Sequence, residues 1–88
     1  MNREKIKVPV NSQRLYSLIK ERTSIRKLGP AIGYDEKTIR TGLKDGRMAI
    51  ELVYMISAYL NVNPRCFADF DEYMELLTHQ IKRESKET

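Results

Sequence analysis

The chain has 88 residues, with 16 Lys and Arg against 12 Asp and Glu, one His, one Cys and no Trp. That size supports one domain with tails and leaves little volume for an enzyme pocket with its own scaffold. Cys66 has no disulfide partner, Cys66 and His79 alone do not make a zinc site, and no apolar run approaches the ~20 residues of a membrane helix. The opening stretch MNREKIKVPV lacks the apolar centre of a signal peptide, so a cytoplasmic location is expected. Charge is unevenly spread. Residues 1–47 carry twelve Lys and Arg and five acids, net +7; residues 48–88 carry four and seven, net −3. A basic half joined to a mildly acidic half points to a polyanion on one face, or to a solvated surface with chance asymmetry.

Residues 1–10 alternate, with Ile6, Val8 and Val10 separated by Lys7 and Pro9. Period two predicts an extended segment, and Pro9 restricts it to an edge strand or a free arm. Asn11 or Ser12 can cap a first helix carrying Leu15, Leu18, Ile19 and Arg22 at helical spacing. Thr23 and Ser24 interrupt it, and Ser24 can cap a second helix, Ile25 to Ile32, that stops at Gly33. Pro30 inside that helix removes a backbone donor and predicts a kink or a later start. Asp35 stands as cap of a third helix, Glu36 to about Asp45, with Ile39 and Leu43 facing inward and Gly46 at its end.

A fourth helix, about Ala49 to Leu60, is apolar nearly all round and reads as a buried central helix ending at Asn61. Asn63-Pro64 predicts the start of a fifth helix to about Phe70. A last amphipathic stretch, Asp71 to about Arg83, carries Tyr73, Met74, Leu77 and Ile81 on one stripe, followed by a frayed SKET tail. The pattern is all-α, with an arm at 1–10, a central unit at 11–70 and a C-terminal helix and tail at 71–88.

Residues 24–46, SIRKLGPAIGYDEKTIRTGLKDG, hold two short helices joined at a glycine, the second rich in Lys, Arg and Thr. Helices crossing steeply need a small residue where they touch and a glycine where the chain turns; Gly29 and Gly33 fit those two requirements. Leu28, Ile32, Tyr34 and Ile39 supply the apolar contact. This is a helix-turn-helix pattern. From Leu15 to Ala68 the chain resembles the Cro and lambda-repressor type of helix-turn-helix domain. The resemblance is carried by Ser24, Leu28 with the small residue after it, Gly33, Tyr34, Asp35 and Ile39, by TIRTGLKDG, and by ELVYMISAYLNVNP. It implies a five-helix DNA-binding domain of bacterial or phage type. Gly42 stands where that family usually has a large apolar residue, and Met48 or Tyr54 is the candidate to fill the space. Ile25 replaces a polar residue that often touches phosphate there.

Within such a frame the third helix presents Glu36, Lys37, Thr38, Arg40 and Thr41 to bases. Arg40 can donate twice to guanine O6 and N7, Lys37 can do so with less definition, Thr41 can meet a thymine methyl, and Glu36 can accept from cytosine N4. Arg26, Lys27, Lys44 and Arg47 are the phosphate candidates. Against this, Glu36 and Arg40 at i, i+4 can simply pair on a solvated face.

The two ends of the chain have several readings. The arm could follow DNA, add a strand to a partner chain, or stay disordered. The Tyr73, Met74, Leu77, Ile81 stripe could dock on the core or form a homodimer contact. Cys66 reads as a small core residue, His79 as a solvated one, and Tyr54 and Tyr59 as core or interface. Nucleotide-binding loops and nucleophile–His–acid sets are absent, so no enzymatic activity, cofactor or small-molecule substrate is expected. The expectation is a sequence-specific double-stranded DNA-binding regulator. Its rival is a protein-interaction module, antitoxin-like or adaptor, that keeps the fold without binding DNA.

Overall fold

In the computed structural model, which describes residues 6–78, the alternating start of the chain is paired inside the molecule. Strand β1 (Lys7–Pro9) runs antiparallel to β2 (Arg47–Ala49), with Val8 opposite Met48. Both of those side chains are 1% exposed and belong to the core. Val10 bridges to Ala68, and the Asp69 N–H donates to the Pro9 carbonyl at 2.9 Å. Residues 7–10 are therefore part of the domain, where a free arm was one expectation. The edge-strand reading of Pro9 holds. The fold is mostly helical, in keeping with the all-α expectation, and adds a small two-stranded sheet. A three-residue strand followed at once by an apolar helix leaves no separate period-two signal around Met48.

Helix α1 (Ser12–Arg22) is capped by Asn11, whose side chain accepts from the Arg14 N–H, and buries Leu15 and Ile19. Helix α2 (Ile25–Ile32) is capped by Ser24, whose hydroxyl accepts from the Lys27 N–H, and ends at Gly33 with φ of 80°. It runs unbroken through Pro30 and starts at Ile25. Pro30 and Arg26 are both exposed, so the carbonyl that loses its helical donor can be hydrated. Helix α3 (Glu36–Asp45) ends at Gly46, with φ of 74°. Asp35 sits at its cap position without a side-chain cap bond; its backbone carbonyl accepts from Thr38 and Ile39 instead.

Helix α4 (Ile50–Leu60) buries Leu52, Val53, Ile56, Ser57 and Leu60 and closes at Asn61 with φ of 58°. Its other face is open: Tyr54, Met55 and Tyr59 are exposed. Eleven residues packed against a core of this size cannot be covered all round, so α4 is one wall of the core and not its centre. The expected fifth helix shrinks to a 3₁₀ turn, Pro64–Cys66, capped by the Asn63 side chain. It stops because the next backbone groups are taken elsewhere. The Phe67 carbonyl accepts from the Asn11 N–H at 2.7 Å, and Ala68 bridges to Val10. Cys66 is exposed on this turn, contrary to the core reading.

A helix α5 covers 71–78, its start supported by the Asp69 side chain accepting from the Asp71 N–H. Among the described residues no helix is long and apolar enough to cross a membrane. The core gathers residues from both strands, from α1 to α4 and from the segment 67–70, with Leu15, Ile19, Leu28, Ile39, Val53, Ile56 and Leu60 wholly buried.

Candidate nucleic-acid interface

Helix α3 is fixed at both ends. At its start it crosses α2 against Gly29. A Cβ built on Gly29 would lie 2.7 Å from the Tyr34 carbonyl oxygen and 3.3 Å from the Glu36 nitrogen, so only glycine permits this approach. The Tyr34 N–H donates to the Gly29 carbonyl at 2.8 Å across the same turn. In its middle Ile39 is wholly buried. Gly42 faces Met48, whose Cγ would be 2.6 Å from an added Cβ, so Met48 takes the space that a large residue at 42 would need.

At its end α3 is held by the N-terminal segment. The Ser12 hydroxyl donates to the Leu43 carbonyl at 2.6 Å, and the Val10 N–H to the Gly46 carbonyl at 2.9 Å. These two bonds satisfy acceptors that a helix C-terminus leaves without a partner. They also tie the orientation of α3 to α1 and β1.

With Ile39 and Gly42 turned inward, Lys37, Thr38, Arg40, Thr41 and Lys44 are exposed and Glu36 is half-buried. A groove runs along each flank of the helix. One is lined by Lys37, Thr38 and Thr41 together with Lys7, Arg47 and Ala49. The other is lined by Arg40, Leu43 and Lys44 together with Ser12, Gln13, Tyr16 and Ile25. Between two grooves, α3 stands out as a ridge with polar and basic side chains along its crest.

The expected residues are distributed as follows. Lys37, Thr38, Arg40, Thr41 and Lys44 share the ridge. Arg40 is not free on it: its Nε donates to Glu36 Oε2 at 2.7 Å. Such an exposed i, i+4 pair contributes only ~0.3–0.5 kcal/mol. Arg26 and Lys27 are exposed at the start of α2; of that first turn only Ile25 lines the groove with Arg40 and Lys44. The Lys27 backbone N–H is already bonded to Ser24, so it is not available to an anion. Arg47 does not extend the ridge beyond Lys44. It lies in β2, where it donates to Glu72 at 3.0 Å and to the Lys7 carbonyl at 3.3 Å.

The C-terminal stripe is divided. Tyr73 packs on the core and Leu77 is half-buried, while Met74 is 50% exposed; Ile81 and His79 lie outside the described residues. Leu76, absent from the expected stripe, is exposed beside it. Tyr54 is neither core nor free: its ring stacks on Phe70 with centroids 5.7 Å apart. Tyr59 is exposed.

Sequence reasoning missed Gln13, Tyr16 and Lys7, which line the two grooves. Lys20 lies over the Tyr16 ring at 5.3 Å. The signal for α1 was present: Gln13, Tyr16, Ser17 and Lys20 form an acid-free stripe opposite Leu15, Leu18, Ile19 and Arg22. Lys7 gave no such signal, because only strand pairing carries it to the groove. Among the described residues no group of three His, Cys, Asp or Glu side chains gathers to hold a metal. Comparison of the chain with protein-family models, with curated proteins and with solved structures finds no match in any of the three.

Proposed function

We propose that the chain binds duplex DNA and reads sequence by laying α3 in the major groove, as a transcriptional regulator without enzymatic activity. The observation that carries this reading is the α3 ridge. It is a ten-residue helix fastened at both ends, flanked by two grooves, with Lys37, Arg40, Thr41 and Lys44 on its exposed side. A major groove ~12 Å wide admits a helix with its side chains, and needs the helix to stand proud of the body behind it. Arg40 and Thr41, in the middle of the ridge, are placed for base edges; Glu36, Lys37 and Thr38 lie in its first turn. Lys44 at one end of the ridge and the exposed Arg26 and Lys27 at the start of α2 are the candidates for phosphates, which position the protein without reading sequence. Arg47 is engaged with Glu72 and has the weaker claim to a phosphate.

One such helix reads only a few base pairs. Two copies on a two-fold site would set their ridges about one helical turn, ~34 Å, apart. Among the described residues of α5 Met74 and Leu76 are the exposed apolar side chains; two positions apart, they lie on different sides of the helix, so Met74, on the expected stripe, is the one offered to that contact, Tyr73 being taken up by the core.

Selection of bound duplexes from a random pool, followed by salt titration of the enriched site, tests the proposal. Enrichment of a defined sequence and a log–log salt slope near −5, for about six phosphate contacts, are expected. A chain that enriches nothing and has no duplex affinity at moderate salt is a protein-binding module instead. The exposed Tyr54, Met55 and Tyr59 on α4 are the observation that favours that second reading.

A further inference from the structure

We propose that Glu36 is a positioning residue for base reading: it holds Arg40 by the ε-nitrogen and leaves the two η-nitrogens as a fixed pair of donors for a guanine edge. The proposal rests on the DNA-binding reading above and specifies which base pairs the ridge selects.

Arg40 Nε donates to Glu36 Oε2 at 2.7 Å, with the two side chains 58% and 39% exposed. A guanidinium has five N–H donors in a rigid fork, and this bond uses the one on Nε. Among the described residues Arg40 makes no other hydrogen bond, so all four η N–H groups remain. A long basic side chain on a solvated helix otherwise samples many rotamers and is drawn to the phosphates on either side of the groove. While it is exposed the pair favours the anchored rotamer only slightly; once the groove displaces water from it the same bond strengthens, so Arg40 is held at Nε when its fork meets the bases.

The acid also changes what Arg40 is attracted to. The pair carries no net charge, and the Glu36 carboxylate opposes close approach of a phosphate. What remains attractive to the fork is a surface offering two neighbouring acceptors, and guanine O6 with N7 is that surface in the major groove. The second Glu36 oxygen accepts no hydrogen bond among the described residues and can take one from cytosine N4. Four residues of helix rise cover ~6 Å, less than two base-pair steps of ~3.4 Å, so the two side chains fall on neighbouring pairs. The expected preference is a guanine for Arg40 with a cytosine amino group beside it for Glu36. Lys37 and Lys44, also exposed on α3, form no ion pair with an acid among the described residues and have no acid to hold them in one orientation.

The test uses the full chain, the duplex recovered by selection and a random duplex, with Glu36→Gln and Glu36→Ala each made alone and in the Arg40→Lys background. For each protein, base preference is measured position by position and the salt slope is taken on random duplex. Glu36→Gln and Glu36→Ala are expected to lower discrimination at the Arg40 base pair about tenfold. They are also expected to tighten binding to random duplex, with a salt slope steeper by about one unit. In the Arg40→Lys background, where no fork exists to be held, removing Glu36 should leave preference at that pair unchanged. If both Glu36 variants move the salt slope but keep the wild-type preference at that pair, Glu36 acts through charge alone and the positioning role is overturned. If Arg40→Ala relaxes one base pair while the Glu36 variants relax none, DNA reading stands and this proposal falls. If the wild-type chain selects no sequence, both fall together.

Discussion

Replacing Gly29 by alanine tests the crossing on which the α3 ridge depends. The new Cβ would stand 2.7 Å from the Tyr34 carbonyl oxygen, 0.7 Å inside the 3.4 Å at which ordinary contact begins, and 3.3 Å from the Glu36 nitrogen. Both obstacles are backbone, so relief requires α2 and the start of α3 to separate. That strains the 2.8 Å bond from the Tyr34 N–H to the Gly29 carbonyl. Overpacking costs about 1–3 kcal/mol, and a backbone wall belongs at the upper end. Alanine regains about 1 kcal/mol by its better helix propensity in the interior of α2. The net expectation is a loss of about 2 kcal/mol, which lowers Tm by roughly 8–16 °C for a domain of this size.

Gly42→Ala is the matched control. Its nearest obstacle is the Met48 side chain, with Cγ at 2.6 Å and Cε at 3.1 Å, and a methionine can move where a backbone cannot. The same propensity gain then offsets most of the cost, so this variant should lose no more than about 1 kcal/mol. Thermal melting followed by far-ultraviolet circular dichroism reads both. A Gly29→Ala variant that melts at or above the wild type, or above Gly42→Ala, would refute the α2–α3 crossing and with it the placement of the ridge.

Other outcomes follow from the structure and from the proposed function. Val8→Ala should destabilise by about 2 kcal/mol in urea unfolding, because the Val8 side chain is 1% exposed against Met48; a free arm would give no loss. Arg40→Ala should cost ~1–3 kcal/mol on the selected site and relax one base pair, whereas Lys44→Ala should weaken selected and random duplexes by similar factors and reduce the salt slope by about one unit. Unchanged base preference in the first, or an unchanged slope in the second, would move that residue off the DNA. Met74→Asp should leave the melting temperature near that of the wild type and halve the solution mass; a mass that does not change removes the Met74 face of α5 as the dimer contact. Arg47→Ala should change stability by less than about 1 kcal/mol, since its pair with Glu72 is half-exposed and open to screening by salt; a larger loss in urea unfolding would show that the bond to the Lys7 carbonyl fastens the sheet.

Local chemistry accounts for what was readable without the structure. Asn11, Ser24 and Asn63 each accept a backbone N–H at a helix start, because a side-chain oxygen close to its own backbone reaches that donor wherever the helix begins. Gly33, Gly46 and Asn61 end their helices at positive φ, a conformation that is costly for most side chains. The inward rows of α1, α2 and α3 follow from period alone, and so does the exposed set Lys37, Arg40, Thr41 and Lys44 that the rows leave behind.

The tertiary structure decided what depends on partners distant in sequence. Whether residues 7–10 form an arm or a strand turns on Met48 and Ala68, some 40 and 58 positions away, and no local pattern carries that information. The same pairing ends the turn at Cys66 before a fifth helix can form, brings Lys7 to the α3 flank and diverts Arg47 to Glu72. The burial of Tyr73 and the exposure of Met74 turn on how α5 lies on the core, which a helical stripe does not specify. Caps and periods act over one or two turns of chain and are written in neighbouring residues. Strand pairing and the choice of which apolar face is covered are settled by free energies summed over the whole core, and appear only once the chain has folded.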